Sequence, residues 1–249
     1  MVPGQITRNQ EKISQKYYKR ALMIFPHKFL PRQELVAITD ENGRRYKTPI
    51  GDLPSVTTVI GQSMDKTGLD RWRESIGDEE ADGIVNQARV RGRELHDLAE
   101  NYVRNNPNYA DEAMPINLDT FRQVKALLDK NLETVYGIEL PLWSKVLRTA
   151  GQADMIGKWQ GKNAIIDYKT SLKPKTEERC LGYLLQGTTY ACMMYERYKM
   201  IIPLVVIILT IDHELRPVVY SVSSDKYYDQ VYDIFVERRQ HEIIQKAFA

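Results

Sequence analysis

The run IIPLVVIILTI, residues 201 to 211, most narrows what this chain can fold into. It is the most apolar stretch of the sequence, yet it carries Pro203 and falls short of a membrane span. Its β-branched content makes it a strand, and a central one. From Ile138 onward IELPLWSKVL, TAGQADMIGKW and NAIIDYKT are further short, β-rich runs separated by glycine and turn residues. A helix is expected over about 176 to 199, strands over 204 to 211 and 216 to 222, and an amphipathic helix from about Ser224. Upstream, helices are expected over roughly 69 to 77, 79 to 105 and 118 to 136, with Asn105-Asn106-Pro107-Asn108 breaking the second from the third. The segment ELVAITDENGRRYKTP alternates about an Asn42-Gly43 turn and reads as a β-hairpin. This order predicts an α/β core, a small mixed sheet flanked by helices, with N-terminal hairpin and helical additions. The expected organisation is a segment 1–52 carrying the hairpin and a single domain 53–249, helical over 53–137 and α/β over 138–249.

The stretch AIIDYKTS, residues 164 to 171, places Asp167 and Lys169 directly after an apolar strand, and a buried strand end is a costly place for charge. Either the strand has reached solvent, or the charges have work there. Gln160-Gly161 is the obvious turn between the two neighbouring runs, and a two-residue loop at that point sets Asp154 opposite Asp167, Ile156 opposite Ile165 and Gln152 opposite Lys169. Asp167 and Lys169 share a face because the strand period is two. Two carboxylates opposed across a ladder repel, and a divalent cation removes that penalty. Hard carboxylate oxygens favour Mg²⁺ or Mn²⁺. Lys169 beside them would compensate charge and polarise a water or a phosphate, the machinery of metal-assisted phosphodiester hydrolysis.

GQADMIG followed by IIDYKTS resembles the D-x(n)-(D/E)-x-K signature of the PD-(D/E)XK nuclease superfamily, with TAGQAD where the name-giving Pro-Asp would stand. RGRELHDLAENYV resembles the G-x-x-x-H-x-x-x-E helix of its RecB-type branch, with Gly92, His96 and Glu100 four apart on one helical face. LLQGTTYAC resembles the Q-x-x-x-Y helix that follows the catalytic strands in that branch, with Gln186 and Tyr190 one turn apart. LPSVTTVIGQSMDKTGLDRWRESIG is similar to the matching region of the mitochondrial genome maintenance exonuclease and its phage relatives, so the likeness covers about 53 to 195 in colinear order.

The resemblance implies a metal-dependent DNA exonuclease acting on strand ends, with single-stranded DNA the favoured substrate, in replication, recombination or degradation. Mg²⁺ or Mn²⁺ would sit on Asp154, Asp167, the Tyr168 carbonyl and His96, and Lys169 would orient or deprotonate the attacking water. Glu100, Gln186 and Tyr190 are candidates for support of the site, and for Tyr190 core packing fits as well as site contact. Ser55, Thr57 and Thr58 beside a helix start suit phosphate, although capping is the simpler role for Ser55. Arg91 and Arg93 flank Gly92 where the family more often has a basic residue, glycine and threonine, and are candidates for nucleic-acid contact. Trp72 is expected in the core. An endonuclease on the same core is one alternative, and a non-catalytic nucleic-acid-binding or scaffold protein another. The presence of Asp154, Asp167 and Lys169 together speaks against the latter.

Charge and cysteine content bound the partners. The net charge is only +2, but residues 1 to 50 carry an excess of six Lys/Arg over Asp/Glu, which suits either a phosphate-binding face or a solvated basic arm. The two cysteines, Cys180 and Cys192, exclude a four-cysteine iron–sulfur cluster within one chain and read as reduced core thiols. No membrane span or signal peptide is apparent. A cytoplasmic setting, bacterial or in a phage-infected host, is expected ahead of a mitochondrial one.

Overall fold

In a computed structural model, residues 24–212 and 214–247 are described, the last six of them by helix path alone. Strands β1 (Val36–Asp40), β2 (Gly43–Thr48) and β3 (Gly51–Pro54) form a small antiparallel sheet. Helices α1 (Val56–Ser63), α2 (Thr67–Ile76), α3 (Asp78–Val103) and α4 (Pro115–Asn131) follow, then β4 (Leu132–Ser144), β5 (Thr149–Trp159) and β6 (Lys162–Ser171). Helix α5 (Leu181–Tyr198), β7 (Leu204–Ile211), β8 (Val218–Ser223) and α6 (Tyr228–Ala247) complete the described chain. The main sheet runs β4-β5-β6-β7-β8 in sequence order. Only β6 and β7 are parallel, joined by the crossover through α5. The expected small mixed sheet, flanked by helices and preceded by a hairpin, is the architecture observed.

The apolar run forms β7, buried at every residue but Leu204, which is half-buried. Its alternate side chains serve two cores: Val205 and Ile207 pack with α1, α5 and α6, and Val206 and Ile208 pack with α3 and α4. Near-continuous hydrophobicity is what a strand covered on both faces requires. The sheet is therefore sandwiched, and the polar groups it retains inside are conspicuous.

Several boundaries differ from expectation. The helix expected to reach residue 136 ends at Asn131, and β4 starts at Leu132, inside the region expected to be helical. Register shifts at Leu132/Thr134 and Val135/Gly137 break the strand period of two and leave buried positions at 132, 135 and 138, a spacing that imitates a helix. β3 was not expected as a strand, and it straddles the boundary placed after residue 52. The first hairpin turns at Glu41-Asn42 rather than Asn42-Gly43, since Asp40 pairs with Gly43. Gly43 alone takes the positive φ, 101°, which a turn followed by a glycine bulge needs. Trp72 is half-buried on α2, a helix with no buried residue, and so lies outside the core. The basic residues before position 24 lie outside the described residues. Cys180 is buried and Cys192 half-buried, and both are free thiols. Among the described residues no helix is long and apolar enough to cross a membrane.

Candidate metal and phosphodiester site

The Gln160-Gly161 turn takes positive φ at both residues, 49° and 79°, and fixes the expected register: Trp159 faces Lys162, Ile156 faces Ile165 and Met155 faces Ile166. Pairing stops there, one step before Asp154 and Asp167 would be opposed. Beyond that point β5 stays with β4 as far as Thr149, and β6 stays with β7 as far as Ser171. The two strands fork. Carboxylate repulsion gives the fork a physical cause, and Asp154 Oδ2 instead accepts the Tyr168 backbone N–H at 3.3 Å. The anticipated pairs Asp154 with Asp167 and Gln152 with Lys169 are thus flanks of an open crotch rather than ladder partners.

Helix α3 delivers His96 to this crotch. Its Nε2 lies 2.8 Å from the Tyr168 carbonyl, which can only accept, so Nε2 carries the hydrogen. That bond leaves Nδ1 facing Asp154 Oδ2 at 3.5 Å and Glu139 Oε1 at 4.0 Å. Donating one ring nitrogen to a carbonyl while the other faces acidic oxygens is how metal-ligating histidines are held. Ligand atoms of His96, Glu139 and Asp154 all lie within 4.8 Å of one another. One imidazole and two carboxylates so placed fit a hard or borderline divalent cation.

Glu139 has no place in the expectations above. It lies across from Asp154, between the pairs Ile138 with Met155 and Leu140 with Ala153, and its φ of 47° is rare for a side chain with a Cβ. The positive φ reverses the alternation of β4: Ile138 packs with the α3/α4 core, whereas Leu140, two residues on, packs with α1 and α5. Arg32 Nη1 donates to the Glu139 and Ile138 carbonyls at 2.6 and 3.1 Å, pinning this turn of the strand. The signal available in the sequence was a single acid in the apolar run IELPLW.

Asp167 is buried on the neighbouring side of the fork. Its Oδ1 accepts Gln186 Nε2 at 3.2 Å, and its Oδ2 lies 2.6 Å from Lys169 Nζ in an ion pair, without conventional hydrogen-bond geometry. Burial pushes the Asp167 carboxyl pKa up, against the lowering effect of Lys169. Burial alone would lower the Lys169 pKa, but Asp167 and then Asp154 outweigh it and keep the group an ammonium.

The remaining candidates divide. Glu100 shares the cavity of His96, Glu139 and Asp154, and accepts Arg104 Nε at 2.8 Å. Tyr190 is buried and packs against Gly151, where an added Cβ would lie 2.6 Å from its hydroxyl. It supports β5 from behind. Ser55 caps α1, accepting Thr58 N–H at 3.0 Å, and its hydroxyl also bonds those of Thr57 and Thr58, while Thr58 Oγ1 further contacts the Arg44 backbone. Thr57 is the exposed member of the three. Arg91 forms an ion pair with Asp212 and faces a separate cavity, whereas Arg93 lines the cleft that contains His96 and Glu139.

The site carries a pH signature. Burial alone would lower the His96 pKa, but Asp154 and then Glu139 overcome it and hold the ring at about 9, above its ordinary 6.5. A raised pKa means that the protonated ring stabilises the metal-free fold fully below pH 6.5, and that this contribution is lost as pH rises towards 9. With chelator present, the parent is expected to lose on the order of 3 kcal/mol over that window, and His96→Ala is expected to flatten the loss while keeping its helical circular-dichroism signal. Chemical denaturation at pH 6 and pH 9.5 checks this; parallel slopes for parent and variant would contradict it.

No family model matches the chain. Over 146 residues it is 24% identical to mitochondrial genome maintenance exonuclease 1 of Mus musculus, a match covering 55% of this chain and 43% of that protein. Over 130 residues it is 25% identical to the Homo sapiens protein of the same name, covering 49% and 38%. The chain spans less than half the length of these curated relatives. A crystal structure of a candidate exonuclease from Eubacterium rectale aligns with a TM-score of 0.42 at 13% identity, over 64% of this chain and 66% of that one, a likeness too distant to carry an argument. The chain is thus related in sequence to nucleases named as exonucleases, as its motifs led one to expect.

Proposed function

We propose that this chain is a metal-dependent deoxyribonuclease that removes nucleotides from DNA ends, with single-stranded DNA its favoured substrate. One observation carries the reading: His96, Glu139 and Asp154 converge within 4.8 Å beside a buried Asp167 that is ion-paired at 2.6 Å with the half-buried Lys169. A structural account would have to explain why three carboxylates and a lysine are gathered at the fork of an otherwise apolar sheet. A cation-assisted hydrolytic site gives each of them a task.

His96, Glu139 and Asp154 are the groups that would hold Mg²⁺ or Mn²⁺, with Asp167 the adjoining carboxylate. When bound, the cation supplies Lewis-acid stabilisation of the charge that develops on the phosphate. The protein's own groups do the rest. Gln186 fixes one oxygen of Asp167, which leaves the other to hold the Lys169 ammonium in place. Because Lys169 stays protonated, its role is to donate: it orients a water for attack in line with the leaving oxygen and offsets negative charge on the phosphate. Tyr168 contributes its carbonyl by holding the His96 ring.

Arg93 lines the cleft in front of these groups and is assigned to phosphate contact. Thr57 keeps an exposed position at the start of α1, and Arg91, Ser55 and Thr58 are engaged within the protein. A place in DNA replication, recombination or degradation is part of this proposal, as is a cytoplasmic setting.

End-labelled linear and covalently closed circular single-stranded DNA, each with Mg²⁺, Mn²⁺ or chelator, test the reading. Linear DNA should be degraded from its ends only when a metal is supplied, and circles should persist. Cleavage of circles at the linear rate would make the enzyme an endonuclease on the same site. No metal-dependent cleavage of either would remove the hydrolytic reading.

A further inference from the structure

The cleft of about 510 Å³ in front of the site is walled by four arginines, Arg32, Arg89, Arg93 and Arg104. Two are spent. Arg32 is tied to Glu34 and to the carbonyls of Ile138 and Glu139, and Arg104 pairs with Glu100 at 2.7 Å. The other two are exposed on α3, and among the described residues neither is paired with a carboxylate: Arg89 makes one bond to Asn86 Oδ1 at 3.3 Å, and Arg93 makes none. Asp97 stands one turn beyond Arg93 in the same cleft, at the spacing of a helical ion pair, and the pair does not form. Arg89 and Arg93 are themselves four apart, where like charges repel. The helix thus keeps two uncompensated guanidinium groups on the stripe that continues through His96 to Glu100.

We infer that Arg89 and Arg93 form a phosphate track along α3 that holds the nucleotides next to the scissile bond. The inference rests on the nuclease reading and specifies how the substrate strand lies. The seven-residue step from Arg89 to His96 spans about 10 Å of helix axis, and the four-residue step from Arg89 to Arg93 about 6 Å, so the two guanidinium groups can meet successive phosphates of a strand that leads to His96. The guanidinium fork matches phosphate oxygens. Gly92, between Arg89 and Arg93 and one turn before His96, leaves the helix surface bare: a Cβ there would meet only Thr170 Oγ1, at 3.9 Å. A strand can lie flat against that surface and deliver its phosphate to the fork.

The test is the salt dependence of binding to a labelled ten-nucleotide single strand, in Ca²⁺ to hold turnover off, for the parent, Arg89→Gln/Arg93→Gln and the control Arg122→Gln. Arg122 pairs with Asp119 in the separate cavity on the other side of α3. Removal of two phosphate contacts should lower the slope of log affinity against log salt by about 1.4, and weaken binding by about tenfold or more at low salt. In Mn²⁺ the double variant should show a raised KM with kcat at saturating DNA within about twofold of the parent, since the track positions rather than reacts. Arg122→Gln should leave the slope alone. An unchanged slope in the double variant, or an equal drop in Arg122→Gln, would overturn the track. A parent that binds DNA with the expected slope yet cleaves nothing with any metal would instead remove the nuclease reading while leaving the track supported. A parent that binds no DNA would remove both.

Discussion

Asp167→Asn is expected to abolish DNA cleavage, by on the order of a thousandfold, while the protein stays folded and still binds DNA. The substitution keeps the shape of a side chain whose Oδ1 accepts Gln186 and whose Oδ2 faces Lys169. It removes one negative charge from a cluster that also contains Asp154 and Glu139. Because burial already disfavours the charged form of Asp167, the neutral amide should cost the metal-free fold little. Repulsion between the site and a phosphate falls as well, so DNA affinity should hold or rise. Turnover in a purified, folded variant, with Mn²⁺ binding followed by calorimetry, checks this. Parent-like cleavage would show that the buried Asp167 carboxylate takes no part in the reaction.

Lys169→Ala is expected to cause a comparable loss of turnover with the opposite effect on the metal. The ammonium pairs with Asp167 at 2.6 Å, and against the effect of burial its pKa is raised by Asp167 and Asp154. Without it, the donor that orients the attacking water is gone, and its loss should cost about a hundredfold to a thousandfold in kcat. The carboxylates meanwhile lose a competing cation, so Mn²⁺ should bind as well as in the parent or better. The two variants therefore separate on one calorimetric titration: metal affinity falls in Asp167→Asn and does not fall in Lys169→Ala. Reduced metal affinity in Lys169→Ala would place the lysine in the ligand scaffold rather than beside the water.

Much of this site was legible because short-range rules govern it. A two-residue loop with glycine sets its register without help from the rest of the chain, and so Met155 meets Ile166 as the sequence requires. The four-residue spacing of Gly92, His96 and Glu100 places them along one face of α3 by helix geometry alone. What escaped depends on tertiary context. The bulges in β4 disguise Leu132, Val135 and Ile138 as a helical stripe, which concealed the true start of the strand and with it the register that brings Glu139 to Asp154. The positive φ at Glu139 is imposed by the surrounding sheet and by Arg32, and no local residue preference announces it. Ser55 and Thr58 looked available for phosphate, yet the cap of α1 and the backbone of Arg44 claim them first. Arg91 and Arg93 are two apart, so the same helical geometry sends them to different cavities, one to Asp212 and one to the cleft.

The central claim is that the forked carboxylates hold a cation that the chain uses to break phosphodiester bonds. It is tested most directly by digesting end-labelled single-stranded DNA with the parent and with Asp167→Asn, each in Mn²⁺ and in excess chelator. Degradation should appear in one of the four reactions, the parent with Mn²⁺. Degradation by Asp167→Asn at near the parent rate with chelator present would contradict the claim.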